Sequence, residues 1–192
     1  MTRPRRPRIY LAGPEVFLPN ARAVGAEKCR LAADAGLEGA FPLDAQLNLD
    51  ALPAREQAQR ISRANEDLMR SCDGLIANLT PFRGVSMDAG TAFEVGFMQA
   101  LARPLAGYTN VAADYAERAR TFRARGPAGM DGDRADLEIE DFGLAENLMI
   151  EVAILSSGGR VVRGEVLPGT ELTDTAGFAQ CLADIAQRFA RA

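Results

Sequence analysis

The sequence predicts an α/β domain built on a parallel, doubly wound sheet of about five strands. Short apolar runs bounded by glycine, proline or asparagine alternate with longer segments whose apolar residues recur at helical spacing. The chain of 192 residues has no internal repeat and no second compositional block, so a single domain accommodates it, with residues 8–192 as the domain and residues 1–7 as a basic, disordered tail.

The elements follow in order. Arg8-Ile9-Tyr10-Leu11-Ala12-Gly13 reads as a first strand ending in a Gly-Pro turn. The turn continues as Pro14-Glu15-Val16-Phe17-Leu18, apolar for a loop and carrying one acid, and its glycine spacing fits no dinucleotide or Walker cradle. Asn20 can cap a helix over 20–35 that Gly36 ends, with Val24, Leu31 and Ala35 facing inward. Gly39-Ala40-Phe41-Pro42-Leu43 is a short second strand and its exit. A helical pattern over 54–71 carries Ile61, Asn65, Leu68 and Cys72 on one stripe. Asn65 is the polar member, either at the stripe's edge or turned to a ligand.

Gly74-Leu75-Ile76-Ala77-Asn78-Leu79 reads as a buried third strand. A loop with Pro81, Gly84 and Gly90 leads to a helix with Phe93, Phe97 and Leu101 at helical spacing. Residues 103–108 form a fourth strand. A short helix over 112–124 precedes a Gly- and Asp-rich mobile loop that reaches 141. A helix over 143–155, a short strand at 160–163 and a final helix striped by Phe178, Cys181, Leu182, Ile185 and Phe189 complete the chain.

Composition narrows the chemistry. Net charge is −4, which gives no general nucleic-acid footprint. The Arg-rich start lacks the apolar core of a signal peptide, and no apolar run is long enough to span a bilayer. Three cysteines without metal-ligand spacing fit core packing in a reducing cytoplasm. Histidine is absent, which excludes Ser-His and Cys-His nucleophile systems and His-based metal sites. Acid–base work therefore falls to carboxylates, tyrosine, lysine or cysteine.

Asp88 and Glu94 stand where the third strand turns into a helix, the place where open α/β sheets hold ligands. Two readings fit them. Thr91-x-x-Glu94 matches a capping box, with Asp88 as a turn acid near the positive helix end. Alternatively, both acids face a crevice, one attacking and the other managing protons.

Several separated pieces then match one family. Ile9-Tyr10-Leu11-Ala12-Gly13-Pro14, Asp73-Gly74-Leu75-Ile76-Ala77-Asn78-Leu79, Phe82-Arg83-Gly84, Asp88-Ala89-Gly90-Thr91-Ala92-Phe93-Glu94-Val95-Gly96 and Asn147-Leu148-Met149 occur in order. The chain resembles the nucleoside 2-deoxyribosyltransferases from Arg8 to about Ile154. The resemblance implies a flavodoxin-like fold and transfer of 2-deoxyribose between nucleobases through a covalent glycosyl-enzyme intermediate, with a deoxynucleoside and a free nucleobase as partners. It implies Glu94 as nucleophile, Asp88 as the acid at the departing base and Tyr10 as the phenol that orients Glu94. Gly13, Phe17 and Gly90 would line the substrate. Asn65 takes a base-recognition position that is Asp in some members; as an amide it both donates and accepts, which shifts or broadens base choice. Asn147 and Met149 match a motif that a neighbouring subunit supplies, so the resemblance implies a homodimer or higher homo-oligomer with shared sites. The scheme is that of two-carboxylate retaining glycosidases, and it needs no metal or cofactor.

Two alternatives stay open. A hydrolase on the same fold would let water replace the acceptor base, acting on nucleosides or nucleoside monophosphates. Glu15 in the first loop, as an acid that repels phosphate, favours nucleosides. A non-catalytic nucleoside-binding module would use the same crevice without reacting geometry.

Overall fold

The computed structural model describes residues 5–44, 48–125 and 137–191. Five strands, β1 (Arg8–Ala12), β2 (Glu38–Ala40), β3 (Gly74–Asn78), β4 (Leu105–Thr109) and β5 (Val161–Arg163), form one sheet in the order β2-β1-β3-β4-β5. All four pairings are parallel, with Tyr10 opposite Ala40 on one side and Leu75 on the other. Among the described residues six α-helices occur, α1 (Ala21–Asp34), α2 (Ala54–Arg70), α3 (Ala89–Ala100), α4 (Tyr115–Arg125), α5 (Leu148–Ser156) and α6 (Ala176–Arg191), and five of them, all but α4, pack on the two faces of the sheet.

Strand alternation divides the core. Tyr10, Ala12, Leu75 and Ala77 point to the face built by α2, α3 and α5, where Met69, Val95, Met98, Ala153 and Ile154 meet them. Ile9, Leu11, Ile76 and Tyr108 point to the opposite face, against Ala32 of α1 and Phe178, Cys181, Leu182 and Ile185 of α6. A strand buried on both faces is apolar at every position, which is why the inner strands show no two-residue alternation in the sequence.

Several expectations need correction. The buried positions of α1 are Ala21, Gly25, Lys28 and Ala32; Leu31 and Ala35 are half-buried and pack against the core as expected, and Val24 is half-buried without joining it. The helix is turned this way because Phe41 packs where a side chain at Gly25 would stand, 2.5 Å from its Cβ position, and because Lys28 is drawn inward by Glu15. Asn20 precedes α1 without a side-chain capping bond. In α3 the buried residues are Thr91, Val95 and Met98; of the 93/97/101 spacing, Phe97 and Leu101 are half-buried and pack against the core, while Phe93 is 58 % exposed. On α2, Met69 carries the burial and Ile61 is exposed. α5 begins at Leu148 instead of 143, because Gly143 sits at φ 66° and Asn147 caps the helix through its side chain. Of the basic stretch 1–7, residues 1–4 lie outside the described residues, and Arg5 pairs with Asp73 at 2.9 Å. Most of the expected mobile loop, 126–136, also lies outside them.

Candidate active site

The chain leaves β1 towards β2 on one side and resumes at β3 on the other, so the switch point lies between β1 and β3. Loops at the carboxyl ends of these two strands flank the crevice. The first holds a short 3-10 turn, Pro14–Phe17. The second runs from Leu79 to Asp88. They meet through Phe17 and Phe82, whose rings stack with centroids 5.3 Å apart and planes 12° from parallel. The Arg83 guanidinium lies 4.8 Å from the Phe17 ring and 4.6 Å from the Phe82 ring. Gly13 is required for close approach, since a Cβ there would stand 2.0 Å from a Glu15 carboxylate oxygen.

Tyr10 and Glu94 meet beneath this mouth. The Tyr10 hydroxyl donates to Glu94 Oε1 at 2.5 Å. Tyr10 lies on the α3 face of β1, and Glu94 is one turn into α3, so strand register and helix phase together make the contact. Burial, opposed by the bond from Tyr10 and reinforced by the charges of Asp88 and Glu15, raises the Glu94 pKa to about 7. Burial and the adjacent Glu94 charge push the Tyr10 phenol well above its ordinary range, so it stays a donor. Tyr10→Phe removes a bond that favours the charged carboxylate and is expected to move the Glu94 pKa above about 7. A carboxyl NMR titration reads this directly, and a downward move contradicts it.

Asp88 is the N-cap of α3, its Oδ2 accepting from the Thr91 backbone N–H at 3.2 Å. The capping-box reading is thereby overturned: Asp88 holds the cap, the Thr91 hydroxyl is buried with no hydrogen-bond partner among the described residues, and Glu94 turns to Tyr10. One Asp88 oxygen caps the helix and the other makes no hydrogen bond among the described residues. Gly90 leaves room for this carboxylate, because a Cβ at that position would stand 2.8 Å from Asp88 Oδ2.

Sequence reasoning missed the network below the first loop. Glu15 is buried, and its Oε1 accepts from Lys28 Nζ at 2.6 Å, Asn78 Nδ2 at 3.0 Å and the Tyr108 hydroxyl at 3.0 Å. Lys28 also lies 4.7 Å from the Phe178 ring centroid. Lysine on an otherwise small-residue helix face was the only signal. The finding removes the basis for reading Glu15 as a repeller of phosphate, since a buried ammonium neutralises it. Lys28→Met strands the Glu15 charge and is expected to destabilise the fold by about 3–5 kcal/mol. Denaturant midpoints check this, and a loss below about 1 kcal/mol would contradict a buried ion pair.

No hydrogen bond among the described residues joins the remaining candidates to the Tyr10–Glu94 pair. Asn65 is half-buried on α2, which packs against α3, and no hydrogen bond among the described residues holds its amide. Asn147 accepts from Met149 N at 3.0 Å as the α5 cap and donates to Glu140 Oε2 at 2.8 Å. Met149 is 69 % exposed. A cavity of about 380 Å³ between the 84–85 loop and α4 is lined by neither carboxylate. Among the described residues no helix is long and apolar enough to cross a membrane, and Cys72 and Cys181 are buried thiols.

This sheet order, with a phenol-bound glutamate and a capping aspartate at its switch point, has relatives of known class. Residues 9–149 match the nucleoside 2-deoxyribosyltransferase family, and the chain belongs to it. An uncharacterised protein of Schizosaccharomyces pombe is 37 % identical over 169 residues, covering 81 % of this chain and 80 % of its own. The 2-desoxiribosyltransferase of Leishmania mexicana is 31 % identical, with 92 % of this chain and 97 % of that one covered and a TM-score of 0.59. A conserved protein of Enterococcus faecalis, 20 % identical over 94 % of this chain and 99 % of its own at a TM-score of 0.58, shares the fold.

Proposed function

We propose that this chain transfers 2-deoxyribose between nucleobases through a glycosyl-Glu94 intermediate, with net retention at C1′. The observation that carries this reading is the 2.5 Å bond from Tyr10 to Glu94 beside the Asp88 cap. The Glu94 carboxylate attacks C1′, the C1′–N bond breaks, and its electron pair leaves with the base. Asp88 supplies the proton that neutralises that base. An acceptor base then attacks C1′, releases Glu94 and returns its proton to Asp88, so two inversions give retention. Tyr10 holds the attacking carboxylate in one rotamer, a charge-assisted bond worth on the order of 1.5–3 kcal/mol. Gly13, Phe17, Gly90 and Asn65 serve the sugar and base.

The test is incubation with deoxynucleosides, with and without a second nucleobase, followed by chromatography. Exchange of bases supports transfer; no product under either condition contradicts it. Hydrolysis is the second reading, and the neutralised Glu15 reopens nucleoside monophosphates as its substrates. Free base and sugar formed at the same rate with or without an acceptor would favour it.

The same reading takes the chain as a homo-oligomer in which Asn147 and Met149 complete a neighbour's site. Phe93, Met149, Val152 and Leu155 are 58 %, 69 %, 45 % and 45 % exposed, on two helices that pack against each other. An apolar surface of this kind is what an isologous contact covers. Activity per chain is expected to fall on dilution below the dimer dissociation constant. Mixing Glu94→Ala chains with Asn147→Ala, Met149→Ala chains should restore activity, because one hybrid site receives both intact halves. Full activity from a monomer in sedimentation, or no rescue from verified mixed dimers, would sink the shared site.

A further inference from the structure

We infer that the buried Glu146–Arg118 pair is the positioning device for Asp88, a role that rests on the reading of Asp88 as the acid. The Glu146 side chain is fully buried and that of Arg118 is 9 % exposed, with 3.2 Å between Arg118 Nη2 and Glu146 Oε2. Their other partners form a pattern. Glu146 Oε1 accepts from the Ser86 hydroxyl at 2.6 Å, and Oε2 accepts from the Met87 backbone N–H at 3.1 Å. Arg118 Nε donates to the Val85 carbonyl at 2.8 Å. The three residues that precede Asp88 are thus each gripped by this pair.

The far side of the pair is anchored as firmly. Arg118 donates to the carbonyls of Ala113 at 2.7 Å and Ala145 at 2.8 Å. Glu146 Oε1 also accepts from the Asn147 backbone N–H at 3.0 Å, at the start of α5. Apolar residues of similar volume fill a core at lower desolvation cost than a buried ion pair. What they cannot do is hold loop backbone by direction. The Asp88 side chain is half-buried and its carboxylate accepts a single hydrogen bond among the described residues, from the Thr91 N–H, so its aim depends on the residues just before it. A misplacement of about 1 Å at such a group costs about 100-fold in rate. Glu146 and Arg118 touch none of the reacting atoms; they act through the loop.

The test compares Ser86→Ala, which removes one bond, with Glu146→Gln, which removes the charge, in the full chain. One readout needs no activity: amide hydrogen exchange at Thr91, whose N–H reports the Asp88 cap. Measured relative to the amides of α1 and α6, which report overall stability, exchange at Thr91 is expected to quicken several-fold in Ser86→Ala and more in Glu146→Gln. The second readout is kcat across deoxynucleosides with graded leaving groups. The expected loss is several-fold for bases that need a proton and small for activated bases, with little change in KM. Unaltered exchange at Thr91 in both variants, or a loss equal for every leaving group, overturns the proposal. Wild-type protein that turns over no deoxynucleoside defeats the transferase reading alone, and the Thr91 exchange still decides whether the pair positions Asp88.

Discussion

Glu94→Gln is expected to abolish transfer, by on the order of 10³-fold or more, and at the same time to make the protein more stable above neutral pH. The amide cannot attack C1′, yet it still accepts from Tyr10 and keeps the packing of α3. The stability gain follows from the raised pKa. Burial lifts the Glu94 carboxyl from its ordinary 4.5 to about 7. A folded-state value above the unfolded one means that the group's contribution is complete below pH 4.5 and is lost as pH rises through about 7. The difference is worth about 3 kcal/mol. Urea unfolding at pH 5 and pH 8 should therefore show the wild-type chain losing stability relative to Glu94→Gln. Parallel curves would place Glu94 in a more solvated setting, and near-normal turnover would remove it from the mechanism.

Asp88→Asn is expected to slow base departure by about 10²–10⁴-fold, the usual range for a lost acid–base group. The fold should persist, because asparagine caps a helix as well as aspartate does. The loss should shrink for substrates whose base leaves without a proton; an equal loss for all of them contradicts the acid role. A second signature is the acid limb of kcat/KM. With Glu94 near 7, activity rises as pH passes through that value. Tyr10→Phe removes a bond that favours the charged carboxylate, so it should move the limb up in pH.

Much of this architecture was legible because local and global signals agree. The five strands and the helices fall where apolar runs and helical spacing put them, and the switch point follows from their order. The ordered motifs also located Tyr10, Asp88 and Glu94, although their pairing is a tertiary fact: residues 10 and 94 are far apart in the chain and meet through strand register. The capping box failed for a local reason. Two overlapping caps were available, and Asp88 at the true N-cap outcompeted Thr91 three residues later. The α3 stripe held at Phe97 and Leu101, which pack against the core, and failed at Phe93, which covers surface at the same spacing. Glu15, Lys28, Arg118 and Glu146 were illegible as buried pairs, since charged residues ordinarily mark solvent and only a partner brought in by the fold reverses that.

Glu94 is expected to become covalently glycosylated during turnover. Mixing the protein with a 2-fluoro-2-deoxynucleoside slows both steps by destabilising oxocarbenium character, and intact-mass spectrometry followed by peptide mapping then reads the trapped species. A single added sugar on the peptide that contains Glu94, released when a free nucleobase is supplied, is the predicted result. Turnover of natural deoxynucleosides with no adduct, or an adduct on another residue, would contradict the account.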